Sequence, residues 1–139
     1  MRFWDSSSLV PLIVDDRESK QRRELLSKDP SVVAWWASRV ECASAVNRLH
    51  GEGVLTSEDM MNALEHLDLL VQGWAVVQPR EEMRRRALRL LRIHPFRAAD
   101  ALQLAAALAA CREQPESLQV VCSDERLAEA ARKEGFTVL

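Results

Sequence analysis

The sequence predicts an α/β protein in which a mainly parallel sheet lies between two layers of helices, a three-layer α/β/α sandwich. Apolar runs of strand length alternate along the chain with longer segments of helical length. The short runs are continuously apolar, which is typical of parallel strands buried on both faces. With 139 residues and no linker rich in Pro or Gly, residues 1–139 are predicted to form a single domain.

Five short apolar runs mark the predicted strands, and polar or turn-forming residues bound each of them. The predicted strands are Met1 to Trp4, Val32 to Trp36, Ala75 to Gln78, Leu118 to Cys122 and Phe136 to Leu139. Two of the four tryptophans fall in the second run, so tryptophan is expected in the core or at an interface rather than as a base-stacking platform.

The segments between the strands carry helical signals, with caps and apolar stripes at helical spacing. The predicted helices are Leu9 to Val14, Arg17 to Ser27, Ser38 to about Leu49, a long one beginning at Thr56 with a stripe from Met60 to Trp74, one after Pro79, Ala98 to Arg112, and Asp124 to Glu134. The helix after Pro79 is predicted to turn Met83, Ala87, Leu90 and Leu91 inward. The next helix is almost wholly Ala and Leu, which predicts burial on all sides.

The charge balance argues against a simple nucleic-acid-binding module. The formal net charge is -2, so no overall basic field attracts a polyanion. The charge is still compatible with an enzyme that acts on nucleic acid, because a cluster of carboxylates that holds cations would lower the net charge. All but three of the 19 basic residues are arginine, the side chain suited to bidentate contact with phosphate.

The cysteines and the N-terminal segment indicate a protein of the cytoplasm. Cys42, Cys111 and Cys122 are odd in number, lack CxxC spacing and lie in apolar contexts, so we expect buried, reduced thiols and no structural zinc site. The opening residues have neither the charge pattern nor the apolar run of a signal peptide or anchor, and no segment is long enough to span a bilayer.

Two predicted strands run into an aspartate, Asp5 after the first and Asp124 after the fourth. In parallel α/β sheets, ligands bind beyond the carboxyl ends of the strands, so these positions are candidate site residues. An aspartate just before a helix is also a favoured N-cap. Each of the two is therefore as compatible with capping as with function.

Glu41 and Asp100 are the other candidate carboxylates. Glu41 lies three residues after Ser38 in the pattern S-x-x-E, which predicts a capping box, although it also flanks an apolar stripe and could face a cleft. Asp100 and Gln103 are the only polar residues of AADALQLAAALAAC. An unpaired carboxylate in an apolar layer is costly, which favours function for Asp100; the alternative is a first-turn position paired with Arg97.

Several carboxylates without a matching Lys or His nucleophile indicate a site for a hard divalent cation, Mg²⁺ or Mn²⁺. The three histidines share no ligand spacing, and each is expected at the surface or in a loop: His50, His66 and His94.

Hydroxyl and arginine side chains are candidates for contact with substrate. Ser6 and Ser7 crowd the end of the first strand, where they could cap a helix or steer a metal ligand or a phosphate. Arg85, Arg89 and Arg92 form one stripe of the only basic concentration, next to Glu81 and Glu82. Surface ion pairs and a phosphate-tracking rim both account for that stripe.

Several enzyme classes lack their motif in this sequence. GxGxxG, GxxxxGK[ST] and GxSxG are absent, so dinucleotide-binding, P-loop and α/β-hydrolase interpretations lose their main support. A receiver-type phosphotransfer domain also places Asp at strand ends, but it needs a late-strand lysine. The lysines of this chain, at 20, 28 and 133, are misplaced for that role.

Four segments resemble the PIN domain, specifically the VapC-type toxin ribonucleases of bacterial toxin–antitoxin pairs. They are FWDSSSLVPL, SRVECASAVNRL, RAADALQLAAAL and VVCSDERLAEAARKEGF, of which the third is the most specific. With the intervening helices, the resemblance covers essentially the whole chain.

The resemblance implies that four acidic residues gather at the carboxyl edge of the sheet and bind one or two Mg²⁺ or Mn²⁺ ions. Asp5 and Asp100 would be the central ligands, with Glu41 as the helix-borne carboxylate and Asp124 as the fourth. The chain departs from the family pattern at Cys122, where Thr is frequent, and at Gln103, where His is common. These departures affect contacts around the acids rather than the acids themselves.

The implied activity is hydrolysis of RNA phosphodiesters by a toxin that has a VapB-like antitoxin partner and forms a homodimer. The antitoxin would insert a peptide into the active-site groove. A catalytically inactive PIN-like binding module is the alternative, because acid clusters can persist as structure after activity is lost.

Overall fold

The computed structural model describes all 139 residues, and its centre is a sheet of four parallel strands. The strands are β1 (Arg2–Trp4), β2 (Val32–Trp35), β3 (Ala75–Val77) and β4 (Gln119–Val121), in the order β3-β2-β1-β4. In register, Phe3 of β1 is the partner of Val33 on one side and of Val120 on the other. The predicted parallel sheet is confirmed, with β1 in its interior.

Seven helices surround the sheet. They are α1 (Ser6–Ile13), α2 (Ser19–Lys28), α3 (Ser38–Gly51), α4 (Ser57–Leu70), α5 (Glu81–Leu90), α6 (Ala98–Ala110) and α7 (Glu125–Lys133), with 3-10 turns at Val71–Gly73 and Pro115–Ser117. None of them is both long and apolar enough to cross a membrane.

The two faces of the sheet pack into two separate apolar clusters. Side chains alternate across the strand, so Phe3 belongs to the cluster under α5, α6 and α7, whereas Trp4 belongs to the cluster under α1, α3 and α4. Both residues are at most 1% exposed. This arrangement confirms the predicted three-layer α/β/α sandwich.

Most predicted element ends lie within two residues of the observed ones, and three differences are larger. The predicted strand over Phe136 to Leu139 is a single bridge between Val138 and Val120, flanked by backbone hydrogen bonds of Thr137 and Leu139 to residues 120 and 122. Helix α1 begins at Ser6 rather than Leu9, since Asp5 caps it. The long fourth helix ends at Leu70 and is followed by a 3-10 turn.

Several side chains also lie differently from the expectation. Trp36 follows β2 instead of ending it and is 54% exposed, so it is outside the core. Leu91 caps α5 and is 39% exposed, whereas Met83 and Leu90 are buried as predicted. His94 lies in a loop as expected, but it is buried, because its ring Nε2 bonds Glu134 Oε1 at 2.7 Å. The three cysteines are free and buried, as predicted.

Candidate functional site

A cleft of about 410 Å³ opens at the carboxyl edge of the sheet, and the four predicted carboxylates line it. We call it the acidic cleft. Its lining comprises Asp5, Ser6, Ser7, Val10, Glu41, Ala45, Arg48, Ala99, Asp100, Gln103 and Asp124. Residues separated by up to 119 positions therefore share one cavity, as the resemblance implies.

The topology explains why the acids meet. Strands β1 and β4 are parallel neighbours, so Asp5 and Asp124 follow them at the same edge of the sheet. The backbone N–H of Asp5 donates to the carbonyl of Val121 at 3.0 Å, which continues the pairing one residue past β1. Glu41 comes from the first turn of α3, which follows β2, and Asp100 comes from the first turn of α6.

Asp5 and Glu41 are each held through one carboxylate oxygen. Asp5 Oδ2 accepts hydrogen bonds from the backbone N–H of Ser7, at 3.0 Å, and from the Ser7 hydroxyl. Glu41 Oε2 accepts from Ser6 Oγ at 2.6 Å and from Gln103 Nε2 at 2.8 Å. Their other oxygens, Oδ1 and Oε1, accept no hydrogen bond from the chain.

Asp100 and Asp124 repeat this pattern with backbone donors. Asp100 Oδ2 accepts from the N–H of Arg97 at 3.0 Å, and Asp124 Oδ1 accepts from the N–H of Leu127 at 3.0 Å. Each bond caps a helix, so the capping interpretation of Asp124 and the first-turn position of Asp100 are confirmed. Capping uses one oxygen only, and the second oxygen of each carboxylate stays without a partner in the chain.

The predicted capping box at Ser38 and Glu41 is wrong. The N-cap of α3 is Ala37, with no side-chain cap. The Ser38 hydroxyl instead accepts a hydrogen bond from Gln103 Nε2 at 3.1 Å, and the same amide group reaches Glu41. Glu41 is thus free of the backbone and belongs to the cleft.

The cleft holds four carboxylates and one cation, Arg48, and no direct ion pair joins them. None of its four carboxylates has a basic partner within 4.0 Å. Burial, with a smaller contribution from the charge of Glu41, outweighs the lowering effect of the Ser7 bonds and raises the pKa of Asp5 from 3.8 to about 6. Burial, with a smaller contribution from Asp5, raises the pKa of the adjacent Cys122 thiol to about 12.

A family profile described as PIN domain matches residues 2–133, nearly the whole chain. The chain belongs to the PIN domain family. Two solved structures share the fold at 15% sequence identity. One is FitAcB from Neisseria gonorrhoeae (TM-score 0.68, covering 100% of this chain and 96% of that chain). The other is a toxin–antitoxin complex from Klebsiella pneumoniae (TM-score 0.64, covering 89% and 87%). No curated protein sequence matches significantly.

The side chains of this PIN domain fit a hard divalent cation by their chemistry. Apart from Arg48, the polar side chains of the cleft carry oxygen atoms, the ligands that Mg²⁺ prefers, and four of these side chains are carboxylates. A cation would also stabilise the ionised form of Asp5, whose pKa is raised by burial and by the charge of Glu41. No group of three or more acidic, His or Cys side chains forms a cage that could hold a metal. The site therefore suits an ion that is bound by one or two carboxylates and keeps several of its water ligands.

Ser6 and Ser7 of the PIN domain line the cleft, as predicted, but their hydroxyl protons are already used by carboxylates. Ser7 Oγ also accepts from the backbone N–H groups of Ser123 and Asp124, at 3.0 and 3.1 Å. One hydroxyl thereby ties the first and fourth acidic positions together. This geometry assigns Ser6 and Ser7 to holding the acids.

The predicted arginine stripe does not reach the acidic cleft. Arg85 and Arg89 line a separate, more open cavity on α5, while Arg92 is exposed and lines neither. The cation that does line the cleft of this PIN domain is Arg48, which the sequence reasoning missed. Its spacing of seven residues from Glu41, which places both on one face of α3, was an available signal.

Gln103 is a second cleft residue that the sequence analysis did not assign to the site. It is 2% exposed and bridges α6 to α3 through its amide group. Its Oε1 atom is buried without a partner in the chain. The sequence marked Gln103 as one of two polar residues in an apolar helix of the PIN domain, a signal that pointed to it.

Proposed function

We propose that this PIN domain is a metal-dependent endoribonuclease, the toxin of a toxin–antitoxin pair. The observation that carries the proposal is the acidic cleft, where four carboxylates each keep one oxygen free and none has an ion-pair partner. An arrangement that leaves anions unpaired in a partly buried cleft costs stability, so it favours a role in binding cations.

Asp5 and Asp100 are the proposed central ligands, with Glu41 and Asp124 as the outer pair, for one or two ions of Mg²⁺ or Mn²⁺. When bound, the metal supplies activation of the attacking water and stabilisation of charge on the phosphate and the leaving oxygen. The chain's own contribution is orientation: Ser6, Ser7 and Gln103 hold one oxygen of Glu41 or Asp5 and leave the other for the ion.

Arg48 is the proposed contact to the RNA phosphate within the cleft. It makes one long ion pair, with Glu52 at 3.6 Å, and both side chains are more than half exposed. Such a pair is weak, so the guanidinium is available to a phosphate at little cost. The three arginines predicted to contact substrate do not line the cleft: Arg85, Arg89 and Arg92.

The proposed partners are an RNA substrate, a VapB-like antitoxin and a second copy of the chain, in the cytoplasm. The Klebsiella pneumoniae structure is a toxin–antitoxin complex, which supports an antitoxin for a chain with the same fold. The antitoxin would insert a peptide into the acidic cleft. A second candidate, an inactive binding module, would keep the cleft but bind no divalent ion.

The test is cleavage of mixed tRNA and rRNA by the purified, antitoxin-free chain, with Mg²⁺ or Mn²⁺ against EDTA. Asp5→Asn and Asp100→Asn should each reduce cleavage roughly 100-fold or more, because each removes a ligand. Asp68→Asn is the matched control, since Asp68 is exposed on α4 and pairs with Arg39. Its rate should equal that of the wild type.

Calorimetry with Mn²⁺ separates the two candidates. The enzyme requires a binding signal that disappears in Asp100→Asn and persists in Asp68→Asn. A folded chain that binds no divalent ion and cleaves no RNA would be the binding module. Cleavage that continues at the wild-type rate in both cleft variants would overturn the assigned ligands.

A further inference from the structure

A second cavity, of about 570 Å³, lies between β3, the start of α5 and the end of α6. We call it the arginine pocket, after Arg80, Arg86 and Arg112, which line it. Its remaining walls combine apolar side chains, among them Val77 and Met83, with Gln78 and two carboxylates. The volume is that of a small-molecule site, and an apolar wall with a few convergent polar groups is typical of one.

Two of the three arginines keep their donors free. Arg86 forms an ion pair with Glu113 and is 18% exposed. Arg80 and Arg112 are exposed and have no acidic partner within 4.0 Å. With three arginines against Glu82 and Glu113, the lining has a net positive charge, and its free guanidinium groups are suited to bidentate contact with phosphate.

The backbone holds the pocket's rim in an unusual conformation. Arg112 and Glu113 are consecutive non-glycine residues with φ of 51° and 63°. Such left-handed positions are sparsely populated by residues other than glycine. They close the end of α6 and place both side chains at the pocket, where Glu113 meets Arg86.

The arginine pocket and the acidic cleft lie along one edge of the sheet. Gln78 follows β3, Trp36 follows β2 and Asp5 follows β1, and these three strands are parallel neighbours. With a strand spacing of roughly 4.8 Å, the ends of β3 and β1 are about 10 Å apart. The N–H of Trp36 donates to the carbonyl of Val77 at 3.1 Å, which fixes Trp36 beside β3.

Trp36 is 54% exposed, an unusual state for so large an apolar side chain. It follows β2, the strand between β3 and β1, and therefore lies between the strand ends that border the arginine pocket and the acidic cleft. Aromatic side chains stack on bases irrespective of sequence.

We propose that the arginine pocket binds a nucleotide of the RNA strand outside the acidic cleft, with its phosphate on Arg80 and Arg112 and a neighbouring base on Trp36. The inference rests on the proposed ribonuclease function for the origin of the nucleotide. It does not require metal, because the contacts are to arginines and apolar side chains.

The test measures binding of fluorescently labelled, mixed-sequence single-stranded RNA by anisotropy in EDTA, so that cleavage plays no part. The variant Arg80→Gln/Arg112→Gln should weaken binding about tenfold or more and reduce the slope of log affinity against log salt by roughly 1.4, for two phosphate contacts. Trp36→Leu should weaken binding at least about fivefold.

The matched control is Arg84→Gln/Arg132→Gln, which removes the same charge from two exposed arginines outside both cavities. An equal loss of affinity in both double variants, or no loss in either, overturns the proposal. A parallel titration with AMP tests the other source of a nucleotide. AMP binding that depends on Arg80 and Arg112, with RNA affinity unchanged, also overturns the RNA assignment.

Failure of the two proposals can be distinguished. RNA binding that depends on Arg80 and Arg112, in a chain that cleaves nothing with Mg²⁺ or Mn²⁺, supports the pocket and contradicts the nuclease. Metal-dependent cleavage, together with an RNA affinity that does not change in Arg80→Gln/Arg112→Gln, supports the nuclease and overturns the proposal for the arginine pocket.

Discussion

Glu18 and Asp5 are carboxylates of one small domain in opposite surroundings. Glu18 accepts hydrogen bonds from Ser123 Oγ at 2.6 Å and from Arg22 at 2.8 Å, and these bonds lower its pKa. Asp5 has hydroxyl and amide donors, yet burial and the charge of Glu41 raise its pKa to about 6. The chain can satisfy a carboxylate with a cation where it stabilises the fold, and it supplies no such cation to Asp5.

Arg22 makes most of the contacts around Glu18. It is 5% exposed and also donates to Ser123 Oγ at 2.9 Å and to the carbonyl of Leu139 at 3.3 Å. Arg22→Leu should lower the free energy of unfolding by about 3 kcal/mol, since it removes the cation paired with Glu18 and the donor to Ser123 Oγ and the Leu139 carbonyl. Urea denaturation measures this loss.

Arg23→Leu is the control for that change, because Arg23 pairs with Asp15 at the surface. Exposed pairs contribute little, so its unfolding free energy should stay within about 0.5 kcal/mol of the wild type. Similar losses in the two variants would contradict the special role of Arg22.

Asp5→Asn should stabilise the metal-free protein at neutral pH, by about 2 kcal/mol, while removing the proposed activity. The amide oxygen can accept the Ser7 bonds, and the variant has no charge to bury. For an acid whose folded pKa is raised, the folded state binds more protons, so wild-type stability falls as pH rises from about 4 to about 6 and stays low above it.

Thermal unfolding in EDTA across pH 4 to 8 checks this prediction. Asp5→Asn should flatten the decline and add the most stability above pH 6. An Asp5→Asn chain that is less stable than the wild type at pH 7.5 would mean that the cleft tolerates the charge without a cation.

Glu18→Gln should act in the opposite direction and more weakly, with a loss of about 1 kcal/mol at pH 7. Its lowered pKa means that the stabilisation is complete above the ordinary value of 4.5 and is lost as pH falls through the folded pKa. The difference between wild type and variant should therefore shrink below about pH 4.5. A difference that grows in acid would refute the assignment.

The sheet and most of the helices could be predicted because their signals are local. Apolar runs gave four of the five strands, and caps and Gly or Pro gave most helix ends within a few residues. Phe136 to Leu139 has the composition of a strand, but only Val138 forms a bridge to β4. How many residues of a segment pair with a neighbouring strand depends on the tertiary structure, and the composition of the segment does not predict it.

The site was predicted in part for the same reason. Strand ends located Asp5 and Asp124, and an apolar context singled out Asp100. Local spacing misassigned Glu41, because the partner of Ser38 is Gln103, 65 residues away. Spacing also placed Arg85, Arg89 and Arg92 on one stripe, but it does not predict which cavity that stripe faces. The direction in which a helix face points is set by the packing of the helix against the rest of the fold.

The central place of β1 has a consequence for synthesis. Strand β1 is synthesised before β4 but pairs with it, because Phe3 is the partner of Val120, 117 positions later in the sequence. A chain emerging from the ribosome, at about 5–20 residues per second, has neither β4 nor Asp124 beside Asp5 until nearly all of these residues have appeared. The four carboxylates therefore gather only after Asp124 has been synthesised, and a nascent chain that stops short of Asp124 lacks the assembled cleft.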